Sequence, residues 1–231
     1  MNSILVTGSN RGLGLEWVRQ YARQEWRVFA TCRHPAEARD LLQLTEQYPN
    51  ITVHRLDVTR HEDFYALRHE LKTQSIDVLL NNAGTYLEKG LLELGHINFE
   101  DWTRTIQVNT MGAVRVTEAL VEQVARSQKR LVVITSSHMG SIYDITSPGS
   151  YYYRSSKAAL NAAAKGLSLE LLAREIGVLI LHPGAVRTRM GGVESILEPG
   201  ESVQAMRVLL DRFTLAQTGQ FLRYDGSPIP W

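Results

Sequence analysis

The stretch Ser3-Ile4-Leu5-Val6-Thr7-Gly8-Ser9-Asn10-Arg11-Gly12-Leu13-Gly14 decides the fold. A short apolar, β-branched run enters three glycines spaced Gly-x-x-x-Gly-x-Gly, and an amphipathic stretch follows over Gly14–Gln24. Gly8 permits a tight turn, Gly12 lets backbone approach a pyrophosphate, and Gly14 allows helix and strand to pack closely. The following helix would aim its amino terminus at the anion. Taken alone, the pattern also suits an ordinary strand-to-helix turn. Its position after the first strand favours a dinucleotide loop, with Asn10, Arg11 and Leu13 between the glycines.

Working outward, short hydrophobic runs recur between amphipathic stretches, the pattern of a parallel sheet with helical crossovers. Strands are expected at Ser3–Thr7, Arg27–Thr31, Thr52–Leu56, Asp77–Asn81, Leu131–Ser136, Val178–His182 and Gly219–Arg223. Their nearly continuous hydrophobicity suits burial on both faces. Helices are expected at Gly14–Gln24, Ala36–Tyr48, Arg60–Thr73, Phe99–Ser127, Tyr151–Ile176 and Ser202–Thr214, and Phe99–Ser127 is long enough to bend. The reading is α/β: one Rossmann domain over residues 1–231, a doubly wound parallel sheet of about seven strands flanked by helices. Its dinucleotide part covers about residues 1–130 and its catalytic part about 131–231. The chemically interesting residues follow strands, as ligands do in such sheets: the glycine run, Asn81-Asn82-Ala83-Gly84, Ser136-Ser137 and Pro183-Gly184.

Composition narrows the partners. The 231 residues are 44% hydrophobic and 21% charged, and 25 basic against 24 acidic residues leave a formal charge of +1. No charge block points to nucleic acid. Cys32 is the sole cysteine, which excludes an intramolecular disulfide and fits a reducing cytosol. The start Met1-Asn2-Ser3-Ile4-Leu5-Val6 lacks the basic region and long apolar core of a signal peptide, and the apolar runs are strand-sized. A cytoplasmic protein with neither a membrane partner nor a metal site is expected.

The second decisive run is Tyr151-Tyr152-Tyr153-Arg154-Ser155-Ser156-Lys157. Residues four apart share a helical face, so Tyr151 meets Ser155, Tyr152 meets Ser156, and only Tyr153 meets Lys157. An ammonium beside a phenol favours the phenolate and should lower a pKa that starts near 10. Such a group could exchange a proton in carbonyl reduction or alcohol oxidation.

In order and spacing, Thr7–Gly14, Leu56-Asp57-Val58-Thr59, Asn81-Asn82-Ala83-Gly84, Asn109, Ser137, Tyr153-x-x-x-Lys157 and Pro183-Gly184 resemble the short-chain dehydrogenase/reductase family over nearly the whole chain. His182-Pro183-Gly184-Ala185-Val186-Arg187-Thr188 and the ending Asp225-Gly226-Ser227-Pro228-Ile229-Pro230-Trp231 resemble its C-factor and sniffer-type carbonyl reductase branch. The resemblance implies an oxidoreductase in which Tyr153 protonates a carbonyl oxygen as hydride arrives. Lys157 would lower the phenol pKa and hold the nicotinamide ribose, Asn109 would support a water-linked proton route, and Ser137 would polarise the substrate oxygen. Ser141 is the alternative to Ser137, because the segment from Ser137 to Tyr153 is long.

Cys32 stands where the family's NAD-preferring acid would fall, and Arg33 follows it. With Arg11 it could clamp a 2′-phosphate, which implies NADP(H), although both could be surface arginines. By the same resemblance Asp57 and Val58 border the adenine, and Asn81, Ala83 and Gly84 contact the adenosine side. Asp57 could equally cap a helix and the asparagine pair serve a turn. Pro183, Gly184, Val186 and Thr188 would lie over the nicotinamide. Tyr86, Met139, Tyr143, Tyr152 and Met190 are candidate pocket residues, and the segment Arg189–Ile196 reads as a short, glycine-containing lid over an open cleft. His138 and His182 have no partner visible in sequence and read as pocket-lining or structural.

A small aldehyde or ketone is the implied substrate. The competing reading is a nucleotide-binding regulatory or cell-signalling protein of C-factor type with little turnover. The family also implies a homo-oligomer, dimer or tetramer, with Phe99–Ser127 and Tyr151–Ile176 as pairing helices and Ile229-Pro230-Trp231 as a possible contact.

Overall fold

The structure, a computed structural model, describes residues 1–88, 94–192 and 194–231. Within these, strands β1 (Ser3–Thr7), β2 (Arg27–Cys32), β3 (Ile51–Arg55), β4 (Val78–Asn81), β5 (Leu131–Thr135), β6 (Gly177–His182) and β7 (Phe221–Arg223) form one sheet. Its order is β3-β2-β1-β4-β5-β6-β7 and every pair is parallel. Chain order reverses between β1 and β4, which makes the carboxyl ends of those strands the natural crevice.

The helices are α1 (Gly12–Arg23), α2 (Arg39–Gln47), α3 (His61–Glu70), α4 (Phe99–Ile106), α5 (Gly112–Ala125), α6 (Tyr151–Glu170) and α7 (Pro199–Asp211). Alternation along β1 divides the core. Ile4 and Val6 pack with Trp17, Val18 and Tyr21 of α1, Leu41 and Leu44 of α2, and Val203, Met206 and Leu210 of α7. Leu5 packs on the other face with Phe64 and Leu67 of α3, Val116, Leu120 and Val124 of α5, and Leu160 and Ala164 of α6. Side chains of a strand point alternately to opposite faces, so one apolar strand feeds two layers. Ile229 joins the second layer, so the terminal segment packs on its own chain.

The elements differ from the sequence reading where local geometry intervenes. The long stretch after Phe99 is α4, then a π-helical turn at Gln107–Met111, then α5. A π turn admits an extra residue into the helical ladder and reorients what it carries, here Asn109. At its far side Gly112 is required, since a Cβ there would lie 2.8 Å from Val58 Cγ2. The α6 helix stops at Glu170 and passes through a 3₁₀ turn and a left-handed Glu175 before β6. Pro35 opens a separate 3₁₀ turn ahead of α2. No helix among the described residues is long and apolar enough to cross a membrane.

Candidate active site

The glycine loop is built to close tolerances. Gly8 has φ +70°, and a Cβ on Gly14 would sit 2.1 Å from the Gly8 carbonyl oxygen, so no larger residue fits where α1 meets β1. Thr7 Oγ1 accepts the amides of Asn82 and Ala83, both at 2.9 Å, and Asn82 Nδ2 donates to the Thr7 carbonyl at 3.0 Å. The loops leaving β1 and β4 are thereby laced across the switch point. Thr188 faces Gly12, 3.6 Å from where a Cβ would stand, bringing the turn after β6 over the glycine loop.

The first turn of α1 carries no acidic residue, and Arg11 at its N-cap makes no capping bond among the described residues. The opening amides of a helix need an acceptor, and an anion satisfies them. Arg11 and Arg33 are exposed beside this turn and the end of β2. The donors, the cationic groups and the glycine clearance fit a dinucleotide. Cys32 is buried, with burial pushing its thiol up, and it offers no negative charge against a phosphate.

Two residues expected along the adenosine have structural work besides. Asp57 accepts the Thr59 amide at 2.9 Å and the Thr59 hydroxyl at 2.6 Å. Burial works against its charge, but those bonds and the guanidiniums of Arg104 and Arg33 hold its pKa below the ordinary value. Asn81 is buried and its amide donates to Thr117 Oγ1 of α5 at 3.0 Å. Val58 packs against Gly112.

At the other end, α6 brings Tyr153 and Lys157 together with Ser137 and Asn109. Ser137 follows β5 and accepts the Met139 amide at 3.1 Å. Lys157 is buried, and its ammonium donates to the Thr135 carbonyl at 2.9 Å. Burial lowers its pKa to about 8. Asn109 Nδ2 donates to the Thr85 carbonyl and Ser156 Oγ, and its Oδ1 accepts the Thr85 amide. A Cβ on Gly84 would lie between Asn109 Oδ1 at 3.4 Å and Lys157 Nζ at 3.9 Å.

The phenol corrects one sequence expectation. Its pKa is raised rather than lowered: burial pushes Tyr153 up to about 12, hydrogen bonding with Ser137 works in the opposite direction, and Tyr86 raises it further. Desolvation penalises the phenolate, while the ammonium is engaged elsewhere. At neutral pH Tyr153 therefore holds its proton.

The remaining candidates separate by place. Ser141 is fully buried and donates to the main-chain oxygen of Trp231 at 3.3 Å. The Tyr86 ring lies 4.8 Å from that of Tyr153, and its hydroxyl meets Ser150 Oγ at 2.9 Å. Tyr152, expected to line the pocket, is instead 1% exposed and stacks on Trp102 of α4 at 5.5 Å. Met139 is half-buried, and Tyr143 and Met190 are exposed. The expected lid, Arg189–Ile196, is tied to the residue before it by the Gly191 amide donating to Thr188 Oγ1 and is flanked by the Arg187–Glu198 ion pair, while Val193 lies outside the described residues.

Pro183 and Val186 flank the left-handed Gly184, whose missing Cβ leaves room for Tyr224 and Leu197. His138 has a partner that the sequence hid, Asp144 Oδ2 at 2.6 Å, and its ring lies 6.0 Å from His182. Burial, Arg223 and His138 lower His182 to about 4. Thr135, Thr85 and Glu88 were also missed as partners of the site, because each meets its partner from a different element.

The wider comparisons agree with this geometry. The curated C-signal of Myxococcus xanthus is 38% identical over 160 residues, 69% of this chain and 95% of that protein. The carbonyl reductase Sniffer of D. melanogaster superposes with a TM-score of 0.92 at 34% identity, covering 100% of both chains. An NADPH-bound carbonyl reductase from chicken fatty liver gives 0.91 at 29% identity, covering 100% of this chain and 99% of that one. The family description "short chain dehydrogenase" matches residues 2–196, and with the glycine loop and the Tyr153–Lys157 pair in place the chain belongs to that family.

Proposed function

We propose that the chain reduces the carbonyl of a small aldehyde or ketone using NADPH, with Tyr153 as the general acid. The observation that carries this reading is the arrangement of the buried Tyr153, with Ser137 hydrogen-bonded at its hydroxyl and Lys157 Nζ 5.7 Å from its ring centre. At about 12 the phenol is a weaker acid than a free tyrosine, yet it holds its proton at neutral pH and can give it to a more basic developing alkoxide. NADP(H), when bound, supplies the hydride that the carbonyl carbon takes. Ser137 would hold the carbonyl oxygen by hydrogen bonding as negative charge develops there. Tyr153 would donate its proton to that oxygen, giving the alcohol. Lys157, with its pKa near 8, would return a proton to the phenolate once it has formed. Asn109 would keep Thr85 and Ser156 fixed around that route.

Cofactor binding falls to the loop Gly8–Gly14 with Asn10, Arg11, Gly12 and Leu13. Arg33 would stand at the 2′-phosphate, Asp57, Val58, Asn81, Ala83 and Gly84 along the adenosine, and Pro183, Gly184, Val186 and Thr188 at the nicotinamide end. Tyr86, Met139, Tyr143 and Met190 would line the substrate side. The continuous sheet supports one domain over the chain, and the reduced, buried Cys32 suits the cytoplasm.

The test is NADPH oxidation with a panel of small dicarbonyls and quinones. Tyr153→Phe should lower kcat about 100-fold or more while NADPH affinity stays within about twofold. Turnover undiminished in Tyr153→Phe would remove the phenol from the chemistry. A second reading, an NADP(H)-binding signalling protein, draws support from the similarity to the C-signal. NADPH binding without turnover of any carbonyl would favour it.

We also assign a homo-oligomeric contact to α4 and its continuation. An apolar groove of about 430 Å³ there is lined by Phe99, Trp102, Thr103, Ile106, Gln107 and Met111, with Phe99 69% exposed. A second copy presenting the same face would bury it, and sedimentation equilibrium reads the outcome.

A further inference from the structure

The first turn of α6 carries the general acid but does not cap itself. Its N-cap residue, Ser150, is left-handed at φ 53° and makes no capping bond, and its hydroxyl is engaged by Tyr86. The amides of Tyr152 and Tyr153 stand at the second and third helical positions, where an N-cap side chain would normally accept them. Both are instead taken by one distant carboxylate: Glu88 Oε1 accepts Tyr152 N and Oε2 accepts Tyr153 N, each at 2.9 Å. Glu88 is 7% exposed. A negative group at a helix amino terminus is also favoured by the helix dipole.

This contact is part of a short strap. The segment leaving β4 is held at Thr85 by Asn109, at Tyr86 by the Tyr153 ring and Ser150, and at Glu88 by the backbone of Tyr153 itself. The same segment begins with Asn82 and Ala83, which are bonded to Thr7 beside the glycine loop. The general acid and the dinucleotide loop are therefore connected through a few residues with little slack.

We propose that Glu88 is a positioning residue, setting where the Tyr153 backbone sits relative to the dinucleotide loop and hence where the phenol meets a substrate carbonyl. The inference rests on Tyr153 being the general acid. It makes no claim that Glu88 touches substrate or exchanges protons. A bidentate carboxylate fixes two adjacent amides, whereas a carboxamide offers one oxygen and alanine none. A small displacement of a reacting group is enough to cost one to two orders of magnitude in rate.

The test compares Glu88→Gln, Glu88→Ala and Tyr153→Phe in the full chain, with kcat expressed per NADPH-binding site so that unfolded protein is not counted. Glu88→Ala should lower kcat about tenfold or more and Glu88→Gln about threefold, with KM and the NADPH dissociation constant within about twofold of wild type. A purely structural cap would lower thermal stability and leave kcat per site unchanged, and that result overturns the proposal. Equal losses in kcat and NADPH affinity would overturn it too, because the whole site would then have loosened. If Glu88→Ala does not fold, Glu88→Gln decides: wild-type kcat there is a refutation. Wild-type kcat in both Glu88 variants with Tyr153→Phe inactive sinks only the Glu88 inference. An active Tyr153→Phe sinks the catalytic reading as well.

Discussion

Lys157 Nζ lies 5.7 Å from the centre of the Tyr153 ring and donates to the Thr135 carbonyl at 2.9 Å. Its ammonium is thus stacked beside the phenol and tied to the end of β5. Burial dominates both groups, raising the phenol and lowering the ammonium. The pair is costly to bury, and burial makes the ammonium the readier proton donor and the phenol the more reluctant one.

Removing the buried ammonium should therefore stabilise the fold while abolishing turnover. The fall of Lys157 from 10.5 to about 8 corresponds to about 3 kcal/mol as an upper bound. The folded pKa is depressed, so the stability linked to this group is complete only above the unfolded value. It is lost as pH falls from 10.5 to about 8. Lys157→Met should gain about 1–2 kcal/mol at pH 7, less than the bound because the bond to Thr135 goes with it. The gain should shrink as pH rises towards 10. Denaturant titration at pH 7 and pH 9.5 measures it, and a less stable variant at pH 7 would contradict the burial argument.

His182 predicts the acid limit. Its pKa falls from 6.5 to about 4, and Nδ1 is buried with no hydrogen-bond partner among the described residues. A depressed histidine contributes stability that is complete above pH 6.5 and lost as pH falls towards 4. The full effect is about 3 kcal/mol at most. Wild-type Tm should drop across that window, and His182→Gln should flatten the drop. Parallel melting curves for the two proteins between pH 7 and pH 4 would refute the assignment.

Two glycines should respond oppositely to alanine. At Gly14 the new Cβ meets backbone 2.1 Å away, so Gly14→Ala should lose about 1–3 kcal/mol and weaken NADPH binding. At Gly166, within α6, it meets no atom of the described residues within 4 Å. Gly166→Ala should gain about 0.5–1 kcal/mol from reduced unfolded-state freedom and better helix propensity. Thermal melts with and without NADPH read both.

Cofactor choice is expected to rest on Arg33. Replacing an exposed guanidinium with a carboxylate should weaken NADPH at least tenfold and move the preference towards NADH. Fluorescence titration of both cofactors against wild type and Arg33→Asp gives the answer, and an unchanged ratio would remove Arg33 from the 2′-phosphate.

What the sequence determined by itself was local and periodic. The apolar runs named the inner strands because strands buried on both faces must be apolar along their whole length. The edge strand β3, expected to be buried on both faces, buries only Ile51. The glycine spacing named the β1–α1 turn, since Gly14 leaves no space for a Cβ, and the four-residue spacing put Tyr153 and Lys157 on one helical face. The tertiary structure decided everything that depends on which distant groups meet and how much water they keep. It set the direction of the Tyr153 pKa, because burial outweighs the hydrogen bond with Ser137. It buried Tyr152 under Trp102, gave Ser141 to the main-chain oxygen of Trp231, and paired His138 with Asp144. It also brought Glu88 across 65 residues to the Tyr153 amide. No helical or strand period encodes a contact of that separation, because it exists only once the sheet has set the loops after β4 and β5 side by side.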